Sequence, residues 1–192
     1  MKKLLIILII LIVTAFCVSS CQGGHPHTSP SANSNGNSSS PEETCKKTTP
    51  PRLADYSSKD MSYTVTVEDS SRTVTLDVIR EGAVTTADVT SPESLAGMSL
   101  IYDAAGLRLR PPYDGCDELP VSDDAAAGLC IIFDIMKTTP DRDSFTADGY
   151  FRVTLRGISS KLFFSRDGFP SKLILEEAGN ERTVHFTNIK QN

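Results

Sequence analysis

Reactive side chains are few in this chain of 192 residues, and their settings differ sharply. Five cysteines stand at Cys17, Cys21, Cys45, Cys116 and Cys130. A cysteine can be alkylated, oxidised, or simply buried as a small hydrophobe. Of three histidines, His25 and His27 fall in a proline-flanked polar stretch without further ligands, which does not make a zinc site. His185 lies beside Phe186 in an alternating segment and reads as a structural strand residue. The acidic group Asp114, Asp117, Glu118, Asp123 and Asp124 offers oxygen atoms, but not at a calcium-loop spacing. It reads as a solvated loop running into a helix start, and Asp141 and Asp143 beside Arg142 read as an exposed turn. No Gly-x-Ser-x-Gly elbow, His-Glu-x-x-His pair or phosphate-cradling glycine loop is present. No catalytic residue, metal or cofactor is therefore expected, and the chain is expected to act by binding.

Cys21 is the thiol with a defined chemical setting. Lys2 and Lys3 precede about 14 apolar residues, Leu4–Cys17, enough to enter a bilayer but short for a permanent span. Val18 and the small residues Ser19 and Ser20 then lead into Cys21. This run resembles the lipobox of bacterial lipoproteins, an aliphatic residue and two small ones before cysteine. The resemblance implies that residues 1–20 are a signal peptide cut between Ser20 and Cys21. It also implies a diacylglyceryl thioether on Cys21, with palmitate-like chains. Two or more acyl chains hold a protein stably on a membrane, where one binds marginally. The expected location is the bacterial cell envelope, lipid-anchored on the extracytoplasmic face of a membrane. An ordinary secretory signal with an incidental Cys21 is the alternative.

Removing residues 1–20 removes Lys2 and Lys3 and takes the formal charge from −5 to −7. An acidic chain without a basic cluster lacks the footprint for nucleic acid or anionic headgroups. Residues 21–51 are rich in Gly, Ser, Asn, Pro and Thr, too poor in aliphatic side chains to offset ordering entropy. They read as a disordered tether behind the lipidated cysteine, and roughly 30 such residues span about 30 Å. Residues 52–192 then suffice for one domain with one core.

That domain is dominated by period-two alternation. Tyr63, Val65 and Val67 oppose Thr64, Thr66 and Glu68; Val74, Leu76 and Val78 oppose Thr73, Thr75 and Asp77. Leu107 and Leu109 alternate with Arg108 and Arg110, and Phe151, Val153 and Leu155 with Arg152, Thr154 and Arg156. Further strands fit 84–90, 99–103, 161–165, 172–176 and 183–189. Turn signals at Glu81-Gly82, Ala105-Gly106, Asp167-Gly168 and Gly179-Asn180 join neighbours closely, so the pattern predicts an antiparallel meander with one apolar face. After Ser122, Asp123 and Asp124, the residues Leu129, Ile132, Phe133 and Met136 fall at helical spacing. Cys130, Ile131 and Ile135 widen the apolar stripe, which predicts a helix inserted into a concavity; a buried strand over 129–135 is the alternative. A second short helix or turn fits Pro92–Ala96.

Ser91-Pro92-Glu93-Ser94-Leu95-Ala96-Gly97-Met98, Leu100-Ile101-Tyr102-Asp103 and Gly106-Leu107-Arg108-Leu109 resemble the LolA-like envelope lipoproteins and lipoprotein carriers. Gly168-Phe169-Pro170-Ser171-Lys172-Leu173 and Val184-His185-Phe186-Thr187-Asn188 resemble that family's two last strands. The resemblance implies a mainly β (α+β) fold: an incomplete, curved antiparallel β-barrel, plugged by one or two covering helices, whose apolar concavity accepts acyl chains. Those carriers are soluble, whereas Cys21 implies an anchor, and this chain has no Trp.

Val65, Val67, Leu76, Val78, Leu107, Leu109, Phe151, Val153 and Leu155 can line one concave apolar surface. Left open it would bind a lipid or acyl chain; filled by the 129–136 helix it is a dry core. The other expected partner is a protein, with the domain docking or regulating an envelope or cell-wall enzyme. A homodimer paired through edge strands is a further way to cover an unclosed sheet. With Cys17 removed and Cys21 lipidated, Cys45, Cys116 and Cys130 remain, so one thiol stays over. Cys116 and Cys130 are the pair for a disulfide, Cys130 being equally suited to burial, and Cys45 could bridge to another chain.

Overall fold

Alternating residues must put their apolar side against something, and here ten such strands share one covering helix. The computed structural model describes residues 49–192 apart from 70–71, 114 and 178–179. Ser20, Cys21, the signal segment and the tether up to residue 48 lie outside the described residues, as do Cys45 and Asp114. The strands are β1 (Met61–Asp69), β2 (Arg72–Glu81), β3 (Val84–Ser91), β4 (Ser99–Asp103), β5 (Gly106–Arg110) and β6 (Leu119–Pro120). After helix α1 (Asp123–Ile135) come β7 (Phe151–Leu155), β8 (Ile158–Phe164), β9 (Pro170–Glu177) and β10 (Asn180–Gln191).

They form one curved, unclosed sheet in the order β6-β5-β4-β3-β2-β1-β10-β9-β8-β7, and every named pairing is antiparallel. Two meanders, β1–β6 and β7–β10, are joined by the long final strand returning beside the first. The chain therefore leaves the sheet at one edge, β6, and re-enters at the other, β7. Helix α1 lies in that connection, so the topology itself carries it across the concave face. Irregular registers on β1–β10, β2–β3 and β8–β9 mark bulges, which bend strands and add twist. In the first, Asn188 takes φ 54° and donates its amide to Thr64 Oγ1 at 3.3 Å.

The expected strands form, with local shifts. Strand β8 begins at Ile158 rather than 161, because Arg156 (φ 51°) and Gly157 (φ 79°) make a two-residue hairpin turn that the sequence reading overlooked. Strand β6, two residues long, was also not expected. The 129–136 segment is a helix, not a buried strand, and starts after Ser122 as expected. The Ser122 side chain makes no capping bond. A single 3-10 turn, Glu93–Leu95, stands for the second short helix. A 3-10 turn over Arg142–Ser144 occupies the expected exposed turn, with Asp141 accepting from the Asp143 amide at 3.1 Å.

Candidate functional site

The inward rows of the sheet converge under α1. Val65, Val67, Leu76, Val78, Leu107, Leu109, Phe151 and Val153 are buried and Leu155 is half-buried. They belong to one apolar cluster with Leu129, Ile132, Phe133 and Met136. The Phe133 ring stacks on Tyr102 of β4, with centroids 5.7 Å apart. The nine sequence-selected wall residues and the four helix residues thus meet as one closed core, with the helix seated in the concavity.

The cover is held by polar groups that the sequence reading missed. Arg80, at the end of β2, is only 2% exposed and points inward. Its guanidinium donates to the main-chain carbonyls of Met136, just past α1, and of Tyr56 and Lys59 in the preceding loop. Carbonyls at a helix C-terminus lack intrahelical donors and carry the negative end of the macrodipole, so a cation there answers both needs. Tyr56 supports the same end, donating its hydroxyl to Thr138 O at 2.8 Å, while Thr138 Oγ1 donates to Asp134 O at 2.9 Å. Burial pulls the Arg80 guanidinium down from its ordinary value, and Tyr63 and Asp60 push it back up. Burial raises the Tyr56 and Tyr63 hydroxyls far above the usual tyrosine range. The signal for Arg80 was parity: it continues the inward positions 74, 76 and 78.

A second polar group ties α1 to both halves of the sheet. Asp134 accepts from Tyr102 of β4 at 2.7 Å and from Arg156, in the β7–β8 turn, at 3.1 Å. Arg156 also donates to the Tyr102 hydroxyl at 2.8 Å. Burial and then the bond to Asp134 push Tyr102 up to about 12. Lys137 lies over the Tyr102 ring, 4.9 Å from its centroid. The unclosed sheet is thereby clasped across its seam through one helical carboxylate.

Other sequence-selected groups fall elsewhere. No disulfide joins Cys116 and Cys130: the first is exposed in the loop and the second buried in α1, so the expected bridge is not formed. Cys130 takes its alternative role, packed in the apolar cluster. Glu118 is engaged by Arg108 and Arg110 at 2.8 and 2.6 Å rather than gathered with other acids. His185 sits on β10 with its Nε2 3.8 Å from Glu68. Among the described residues no group of three or more His, Cys, Asp or Glu is arranged to hold a metal ion.

No protein-family model and no curated protein matches the chain. Solved structures similar to it include a LolA superfamily protein from Nitrosomonas europaea, at 10% identity and TM-score 0.39, covering 73% of this chain and 88% of that one. A DUF1329 family protein from Desulfovibrio piger is similar at 12% identity and TM-score 0.39, over 72% of this chain and 87% of that one. MucB, solved in complex with MucA(peri), is similar at 13% identity and TM-score 0.37; the match covers 71% of this chain and 51% of the MucB chain.

Proposed function

We propose that this chain is a lipid-anchored binding protein of the bacterial envelope that takes an apolar ligand, such as an acyl chain, on the concave face in place of α1. The observation that supports this most is the nature of the cover. One 13-residue helix, supplied by the edge-to-edge connection, packs in the core cluster with the apolar wall, and its C-terminal end is held by Arg80 through a main-chain carbonyl. Bonds to carbonyls do not depend on the side chains of the cover. Magnitudes decide how such a cover could work. Burying Leu129, Ile132, Phe133 and Met136 contributes about 1.5–3 kcal/mol each, on the order of 6–12 kcal/mol together. That equals the whole stability of a typical domain, so α1 does not lift spontaneously. It is exchanged: a ligand of comparable apolar area takes over the wall as the helix leaves.

The test is native mass spectrometry of the purified full chain, followed by organic extraction and lipid analysis of the same sample. Bound acyl lipid at near-stoichiometric occupancy, in addition to any anchor on Cys21, is the expected result. A ligand-free mass that stays unchanged after incubation with fatty acid or phospholipid refutes it.

The edge of β7 past the Phe145–Phe151 bridge favours a second reading, in which the domain docks an envelope protein by strand addition. A photo-crosslinker at Thr154 would then capture one partner, or a second copy of the chain, in cells; no capture excludes that edge.

A further inference from the structure

Arg80 is a buried cation without a buried anion. Among the described residues no carboxylate stands within ion-pair distance of it, and its hydrogen bonds go to three carbonyls. Asp60 acts on it only through its field, its Oδ1 accepting instead from the Gly82 amide at 2.7 Å. A charge desolvated in this way is costly unless paired.

Two hydroxyls flank it on the same inward face. Thr85 is directly opposite Arg80 across the β2–β3 pairing. Tyr63 pairs with Val78, which places it one diagonal step from Arg80 across β1–β2. Such neighbours lie about 5 Å and about 7–8 Å apart, within reach of long side chains. Thr85 is fully buried and Tyr63 is 3% exposed, and neither hydroxyl has a hydrogen-bond partner. Native structures seldom leave such groups unsatisfied without a reason. Ser160 carries the third unpartnered hydroxyl, but on β8, away from this group. Burial keeps Tyr63 protonated, so its hydroxyl is available as a donor. The wall around the group is apolar, with Val65, Leu76, Val78 and Ala87. A buried cation with two unpartnered hydroxyls at neighbouring register positions in an apolar wall suits a molecule with one anionic end and a long apolar remainder.

We propose that the ligand is a long-chain carboxylic acid, bound with its carboxylate on Arg80, Tyr63 and Thr85 and its chain along the inward face of the sheet. The N–H that Arg80 releases from the Met136 carbonyl as α1 leaves gives a carboxylate one charge-assisted hydrogen bond, while the bonds to Tyr56 and Lys59 keep the guanidinium in place, and the two hydroxyls donate to the remaining lone pairs. This deepens the reading above and rests on the concave face accepting an apolar ligand.

The experiment is competition against a fluorescent fatty acid on the purified full chain, which has no Trp to add background. A saturated fatty acid is compared with the primary alcohol of equal chain length at neutral pH. The acid is expected to bind at least about tenfold more tightly than the alcohol, as charge-assisted hydrogen bonds require. The double variant Tyr63→Phe, Thr85→Val removes only unpartnered hydroxyls and so keeps the fold, to be confirmed by circular dichroism. It is expected to cut the preference for acid to about threefold or less. Equal binding of acid and alcohol overturns the head-group site while leaving the apolar-ligand reading standing. An acid preference unchanged in the double variant also overturns it, and binding of neither probe overturns both readings.

Discussion

Arg80 does at the level of one side chain what a loop of several residues would otherwise do: it joins the 56–60 segment, the end of β2 and the end of α1. Replacing it with methionine removes a costly buried charge but strands the carbonyls of Tyr56, Lys59 and Met136. Unpaired buried acceptors cost about 1–3 kcal/mol each, so Arg80→Met is expected to lose about 1–3 kcal/mol net in urea denaturation. Faster amide exchange over 134–138 should accompany the loss; unchanged exchange there would show that Arg80 does not hold the helix end. The parity of β2 carried a signal for an inward Arg80, but the sequence reading missed it. What it touches carried none, because main-chain carbonyls leave no trace in side-chain chemistry. A more conventional ion pair sets acid behaviour: Arg108 donates to both carboxylate oxygens of Asp103, at 3.0 and 2.8 Å. The bond to Arg108, helped by the Ala105 amide, holds Asp103 at about 2, below its usual 3.8. Because the folded value is the lower one, this pair stabilises the fold above about pH 3.8 and the contribution is lost as pH falls toward 2. Acid titration of stability should therefore lose part of its slope in Asp103→Asn; an identical slope would contradict the assignment.

Elements pass the same coupling on through the backbone. Gly168, in the β8–β9 turn, takes φ 82° and accepts from the Ala54 amide at 2.9 Å. A Cβ there would come within 2.6 Å of that amide nitrogen and closer still to Arg52 O. Gly168→Ala is expected to cost about 1–3 kcal/mol, from the strained φ together with this clash. It should also loosen the 52–60 segment, which presents two of the carbonyls held by Arg80, and limited proteolysis would report cutting there before the sheet. Equal proteolysis of variant and parent would contradict this link. Most strands were readable because their alternation is strict and turn glycines bound them. The β8 start was misread because Arg156, a residue that rarely takes positive φ, occupies the turn and extends the apparent strand. Helix α1 was readable at 123–136 from Leu129, Ile132, Phe133 and Met136, but its clasp was not. Tyr102, Asp134 and Arg156 are separated by 32 and 22 residues, and only the curl of the sheet brings them together. The pairing expected between Cys116 and Cys130 failed for a related reason: nearness in sequence does not put an exposed loop thiol against one facing the core.

At the scale of the whole molecule, the proposed membrane address and the proposed exchange of the cover for a ligand are tested separately. The address rests on the run from Lys2 to Cys21. Intact-mass analysis of the membrane-extracted protein is expected to show a chain beginning at Cys21 with added acyl mass, and Cys21→Ala should abolish both the added mass and membrane retention. An unmodified, soluble wild-type chain would refute the anchor. The cover rests on α1, which lies in the connection from β6 to β7 and packs in the core cluster, so in the proposed exchange a ligand and the helix compete for the same wall. The most direct measurement is hydrogen exchange of the full chain with and without a long-chain fatty acid. Amides of 123–138 should lose protection when the acid binds, while those of β1, β2 and β10 stay protected. Exchange that is unchanged throughout, with the acid present in excess, would contradict the claim that this sheet holds a ligand in place of its helix.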